Sequence, residues 1–347
     1  MQLIRSQPVM LYGLLLACSL SLAFSFSPTG AQENAAAETI PVSGIQPGPP
    51  LWRVARGEHV LWILPIGSIV PQNMVWENEE VADIIANAEE FIRPPDISVG
   101  VSKTLVLNPI NIFRGIELYK RIRRNAGNAS LAEVLPADVY RRFSDLKAKY
   151  FPTNEDVETL RPMFAAEVIT KEIPPQEQLA GFQVITQRVN ELIEERKDIR
   201  VTDVKVELTL GGSFDDLSRR VDGAMTSLTI EREIECFESQ LTRYEKDLDS
   251  IRQLANAWAT GDVGKIVDFA RAGGLEAECS SWFLAGPEGG LALETLEESR
   301  QRWFEAAVSA LERNRTTFSM LPISYITGDL SLVNRLANRG YDVHEPR

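Results

Sequence analysis

The 347-residue chain is 44% hydrophobic and 24% charged, values of an ordinary folded protein that exclude wholesale disorder. Its formal charge of −13 argues against general nucleic-acid binding, because phosphates would meet net repulsion. Only two histidines are present, His59 and His344, so any metal site built on three histidines is excluded as well.

From the N-terminus, residues 1–31 read as a signal peptide. Arg5 supplies the positive start, Met10 to Phe26 the apolar run, and Thr29-Gly30-Ala31 the small-residue cleavage site. The run sits near the lower limit for spanning a bilayer, so cleavage is expected rather than anchoring. Cys18 follows Leu15-Leu16-Ala17 in a loose likeness to a lipoprotein site. The apolar run continues through Leu20, Leu22, Phe24 and Phe26, which disfavours lipidation. The expected product is periplasmic or secreted, soluble, without a membrane span, and at −14 once Arg5 is lost. It keeps two cysteines, Cys236 and Cys279, which are a candidate disulfide in an oxidising compartment; two buried thiols are the other reading. Residues 32–49 are polar and rich in Ala, Pro and Gly, and are expected to form a disordered arm ahead of one domain over 50–347.

Within that domain, Leu51 to Val54 and Val60 to Leu64 flank Gly57-Glu58-His59 and predict a hairpin. Asn78 is the expected cap of a helix over Glu79 to Phe91, with Val81, Ile84, Ile85 and Ala88 at helical spacing. Ile97 to Leu107 alternates and predicts a strand. Pro109 to Phe164 is helical in pattern, with Pro136 and Pro162 opening helices, and Lys120 to Arg124 reads as a solvated basic face. A helix over Gln178 to Arg196 precedes an alternating strand over Val201 to Leu210. Gly211-Gly212-Ser213 then reads as an ordinary turn rather than a phosphate loop. Ser227 to Trp258 is a long amphipathic stretch closed by Gly261-Asp262, and residues 273–292 are Gly-rich and irregular. A helix over Glu294 to Asn314, a strand over Thr317 to Ile326, a helix over Leu330 to Asn338 closed by Gly340, and a short strand over Tyr341 to Val343 complete the chain. Strands therefore bracket a largely helical middle. The expected fold is α/β (α+β): a mixed β-sheet built from N- and C-terminal strands and surrounded by helices. Trp258 and Trp303 are expected in the core.

One internal echo bears on function. Leu64-Pro65-Ile66-Gly67-Ser68-Ile69 resembles Leu321-Pro322-Ile323-Ser324-Tyr325-Ile326. Each ends an apolar strand with Leu-Pro-Ile and places a hydroxyl-bearing residue three positions after the proline. Such loops at corresponding strand ends would face a common cleft.

Leu51-Trp52-Arg53-Val54, Ala257-Trp258-Ala259-Thr260-Gly261-Asp262 and Arg339-Gly340-Tyr341-Asp342-Val343 occur in that order across the domain. On these motifs the sequence, from about residue 50 to 343, resembles the TraB/GumN family and its Tiki-type metalloprotease relatives. The resemblance implies two Gly-x-x-His segments whose histidines, with acidic side chains, hold a divalent metal that activates water for peptide hydrolysis. Here the first segment aligns with Pro65-Ile66-Gly67-Ser68 and the second with Pro322-Ile323-Ser324-Tyr325. Ser68 and Tyr325 thus stand where histidines are expected, and neutral hydroxyls are poor ligands for Mn²⁺ or Zn²⁺. The family's acidic position falls near Pro94, just after Glu89 and Glu90. In both loops proline replaces glycine, which fixes φ and removes an N–H donor.

These departures predict a domain that keeps the fold and has lost the metal-dependent hydrolase site. It would act as a binding or scaffold module for a peptide, a protein or a small polar ligand, with cleft candidates Pro65, Ser68, Pro322 and Tyr325 and no cofactor. The alternative is a hydrolase with Mn, Co or Zn on oxygen ligands drawn from Glu79, Glu80, Glu89, Glu90, Glu207 or Asp329. A serine hydrolase at Ser68 lacks both a base and a Gly-x-Ser-x-Gly elbow.

Overall fold

The hairpin forms where the pattern places it, turned at Gly57 with φ of 62°, and buries Trp52 and Val54 against Leu61 and Ile63. The computed structural model of the protein describes residues 39–102, 105, 107–271, 289–328 and 330–346. Its strands are β1 (Gly44–Gln46), β2 (Trp52–Arg56), β3 (His59–Ile66), β4 (Ile69–Pro71), β5 (Met74–Trp76), β6 (Glu90–Ile92), β7 (Ile97–Val101), β8 (Leu179–Gly181), β9 (Arg200–Thr202), β10 (Val206–Leu210), β11 (Thr316–Pro322) and β12 (Asp342–His344). The helices are α1 (Glu79–Asn87), α2 (Pro109–Arg123), α3 (Leu131–Val134), α4 (Ala137–Tyr150), α5 (Pro162–Gln176), α6 (Gln183–Glu195), α7 (Phe214–Ser227), α8 (Ile230–Lys246), α9 (Leu248–Thr260), α10 (Val263–Arg271), α11 (Gly289–Arg313) and α12 (Leu332–Asn338).

The central sheet has the order β12-β2-β3-β11-β6-β9. Strands β3, β11, β6 and β9 run parallel, while β2 is antiparallel to both β3 and β12. The fold is therefore α/β with a mixed sheet, and strands from both ends of the domain join in it. β11 lies at the centre and is buried from Thr317 to Leu321. Its inward Ser319 is satisfied on both sides: Trp303 Nε1 donates to its hydroxyl at 3.0 Å, and the hydroxyl donates to the Ile92 carbonyl at 2.8 Å. Trp258 and Trp303 are both fully buried, as expected of core residues.

Several boundaries differ from expectation for local reasons. The helix begun at Glu79 stops at Asn87, and Glu90-Phe91-Ile92 becomes a fully buried strand between β11 and β9. Three buried residues show no period, so the sequence pattern absorbed them into the helix. The strand expected over 201–210 breaks into β9 and β10, and the one expected from Ile97 ends at Val101. β7 and β10 pair with each other in a two-stranded parallel extension. Ser299 of α11 pins both approaches to it. Its hydroxyl accepts from Asp96 N–H at 2.9 Å and donates to the Val204 carbonyl at 3.0 Å. Leu179–Gly181 is a strand rather than the start of a helix, the long stretch after Ser227 divides at Asp247, and Gly289 to Ala292 is helical rather than irregular.

The arm expected to be disordered is docked from Thr39 onward. Thr39 N–H donates to Asp249 at 2.7 Å, Val42 N–H to Asn256 at 2.8 Å, and Gly48 N–H to the Ala259 carbonyl at 2.8 Å. β1 pairs with β5, and Trp76 Nε1 donates to the Pro47 carbonyl at 3.1 Å.

Candidate functional site

Strands β3 and β11 are adjacent and parallel, so both echo loops leave the same edge of the sheet. The register pairs Leu321 with Pro65 and Pro322 with Ile66, so the two Leu-Pro-Ile segments lie side by side, one residue out of step. In parallel α/β sheets this carboxyl edge is where ligands bind. Pro65 is buried and Ser68, three residues on, is exposed. Pro322 is half-buried and opens a 3-10 turn over Ile323–Tyr325, in which the Ile323 carbonyl accepts from Ile326 and Thr327. Tyr325 is half-buried with the Arg300 guanidinium 5.6 Å from its ring centroid. Arg300, which the sequence reading missed, lies one turn before Trp303 on the inward side of α11. Only that helical spacing could have flagged it.

The wall behind the Ser68 loop is Trp258. An added Cβ on Gly67 would come within 2.4 Å of the indole, so glycine is required there for contact rather than for a turn. Phe182 packs edge-on against the same indole with centroids 5.2 Å apart, and its N–H donates to the Ser68 carbonyl at 3.3 Å. The Trp258 Nε1–H is buried and finds no acceptor among the described residues. Gly261 closes α9 in the left-handed region at φ of 73°, turning the chain into α10, which packs under the Tyr325 turn. The Ala-Trp-x-x-Gly-Asp segment thus lies beside both loops.

The fallback ligands lie elsewhere. Glu90 pairs with Thr317 at the start of β11, and Pro322 is five residues further on, roughly 16 Å along the strand. Glu89 and Glu90 are therefore at the opposite end of the sheet from Ser68 and Tyr325. Glu89 accepts from Arg315 N–H at 2.6 Å. Glu90 is buried and accepts from Thr202 Oγ1 at 2.5 Å, Arg313 at 2.7 Å and Asn314 at 2.7 Å. Burial pushes its carboxyl up, but these donors outweigh it and hold the group below the ordinary carboxylate range. Glu207, paired with Ser98 on the β7–β10 extension, is exposed with its carboxylate against Gly100. Glu79 and Glu80 are exposed in the first turn of α1. Asp329 lies outside the described residues.

Among the described residues, no three His, Cys, Asp or Glu side chains converge as a metal-binding group. His59 is at the start of β3, away from Ser68, with Nδ1 2.7 Å from the Asn314 carbonyl, and His344 is on the edge strand β12. The described donors at the loop pair are hydroxyls, and these do not fit a resident Mn²⁺, Co²⁺ or Zn²⁺. Cys236, buried in α8, is disulfide-bonded; Cys279 lies outside the described residues. Ser213 caps α7 in a box with Asp216, whose carboxylate occupies the position a phosphate would need.

The fold and the loop pair define a class of α/β protein that presents two equivalent loops at the carboxyl edge of a parallel sheet core. More particularly, the chain belongs to the TraB/PrgY/gumN family, whose model matches residues 50–345. No curated protein and no solved structure matches it.

Proposed function

We propose that this family member is an exported binding module that holds a peptide or small polar ligand at the Ser68 and Tyr325 loops and does not hydrolyse it. The observation that carries this reading is the pairing of β3 with β11, which brings a serine and a tyrosine to one sheet edge while leaving Glu89 and Glu90 at the other. Hydroxyls on a preformed edge suit hydrogen bonding to a peptide backbone or another polar group. The leader read at residues 1–31 and the disulfide at Cys236 both support an oxidising compartment.

Calorimetric titration of the chain from residue 32 with Mn²⁺, Co²⁺ and Zn²⁺ should give no stoichiometric binding, and labelled casein should stay intact. Casein-derived peptides retained by the wild type should be released by the S68A/Y325F pair at an unchanged melting temperature, with affinity about tenfold lower. Stoichiometric micromolar metal binding, or casein cleavage lost on substituting Glu207 or Asp329, would sink the proposal in favour of an oxygen-ligand hydrolase.

A further inference from the structure

Helix α2 turns one side into the protein and leaves the other bare. Leu118 is its buried residue, clustered with Leu105 and Phe214 apart from the main core. On the same side Arg114 lies over the Phe214 ring at 4.3 Å and pairs with Asp215, and Arg121 pairs with Asp222 at 3.0 Å. The opposite arc carries Ile112, Phe113, Ile116 and Tyr119, with Ile110 and Leu107 beside them. All six are exposed, Phe113 at 72% and Leu107 at 80%. One exposed isoleucine is ordinary on a protein surface; six exposed large apolar groups within residues 107–119 mark an interaction surface.

The order of chemistry along the helix indicates what covers it. Exposed apolar groups lie between Leu107 and Ile116, interspersed with Asn108, Asn111 and Arg114; Glu117 and the phenol of Tyr119 follow, and Lys120, Arg121, Arg123 and Arg124 close the helix. An exposed apolar series followed by an aromatic ring and a basic turn is the composition of a helix that lies in a membrane interface. The basic turn is a local exception on a chain of net charge −13, and four cations within five residues favour anionic headgroups at that point. Lys120 pairs with Glu117 at 3.2 Å and Arg123 with Glu167 at 3.6 Å, and Arg124 donates to Thr159 at 2.6 Å. The exposed contacts of Lys120 and Arg124 are weak enough for lipid phosphate to displace them, whereas Arg123 is half-buried over the Tyr119 and Phe164 rings. A groove of about 610 Å³ lies at this end, lined by Lys120, Arg121, Arg124 and the Asn125–Asn128 turn, with Glu117 the one carboxylate among its lining residues.

The first turn of α2 is capped at its apolar end. Pro109 has no N–H, the Asn108 side chain accepts from Ile110 at 3.0 Å, and its carbonyl accepts from Ile112 at 3.2 Å. Among the described residues no helix is long and apolar enough to cross a membrane, so the contact is peripheral.

We infer that the outer face of α2 docks on an anionic phospholipid surface, with Ile110, Phe113 and Ile116 at the acyl boundary and Lys120 and Arg124 at the phosphates. This departs from the expectation of no membrane contact after leader cleavage, and it does not depend on the ligand reading of the sheet edge. The test is vesicle co-sedimentation of the chain from residue 32, which carries every described residue, with sedimentation velocity run beside it. The wild type should pellet with vesicles of phosphatidylcholine and phosphatidylglycerol in equal parts and not with phosphatidylcholine alone. I110S/F113S should bind about tenfold more weakly, and K120E/R124E should lose the preference for the anionic lipid, both keeping the wild-type melting temperature. Failure to pellet with the anionic vesicles, or equal pelleting by the folded variants, overturns the inference. So does a wild-type dimer that I110S/F113S dissociates, which would assign the face to a second copy.

Discussion

Glu90 carries its charge in a buried place because four neighbours are built to receive it. Thr202, Arg313 and Asn314 donate directly, and Arg200 stands 3.8 Å away. Its folded carboxyl titrates below the ordinary range, so the stability it contributes is complete above the unfolded-chain value and drains as pH falls through the lower folded one. Glu90→Gln should cost about 2 kcal/mol at neutral pH, since the amide can still accept but no longer answers Arg313. Urea unfolding across pH should show the gap between wild type and variant closing on the acid side. In the sequence this residue looked like a metal candidate because Glu89-Glu90 precedes the family's acidic position. The sequence does not reveal that a three-residue strand places both carboxylates at its start. That the Ser68 and Tyr325 loops share a sheet edge was legible because their motif repeats, whereas Trp258 was read only as core, its buried N–H against Gly67 being a matter of tertiary contact.

At the scale of elements, the two bends that carry the chain from the sheet into the β7–β10 extension depend on one hydroxyl. Ser299 is fully buried and spans Asp96 and Val204, beside the backbone bond from Val206 N–H to the Asp96 carbonyl. Ser299→Ala should leave the Asp96 N–H and Val204 carbonyl short of a partner and destabilise the protein by about 2 kcal/mol. Hydrogen exchange should accelerate first in residues 97–101 and 206–210, ahead of β3 and β11. Periodicity located these strands and missed their breaks. Alternation through Val204, Val206 and Leu208 is unbroken in the sequence, and the bend is imposed by a residue on a helix almost a hundred positions away. The helical character of the long segments, by contrast, was legible from their spacing, while the break at Asp247 and the start of α11 were not.

For the molecule as a whole, the strap from Thr39 to Gly48 bridges the first described residues to α9 and β5. Its hydrogen bonds are each worth about 1 kcal/mol and are largely offset by the cost of ordering the strap. Removing residues 32–48 should therefore lower stability by only about 2 kcal/mol. Tryptophan emission should shift to the red as Trp76, 8% exposed in the strapped protein, meets water. Composition read this stretch as disordered because its residues are polar and small, and nothing local announces that Asp249 and Asn256 will hold it. The joining of N- and C-terminal strands in one sheet was legible, since both ends carry apolar strand patterns around a helical middle.

The place of β11 at the centre of that sheet also sets a timetable. A nascent chain can pair β2 with β3, and β6 with β9, but these two fragments have no edge in common until residues 316–322 have been made. Nearly the whole domain must exist before the core can close, and closure then requires loops of very high sequence separation, which slows folding. The late central strand is thus a built-in delay, keeping the chain open through synthesis and letting it lock only when its C-terminal segment arrives.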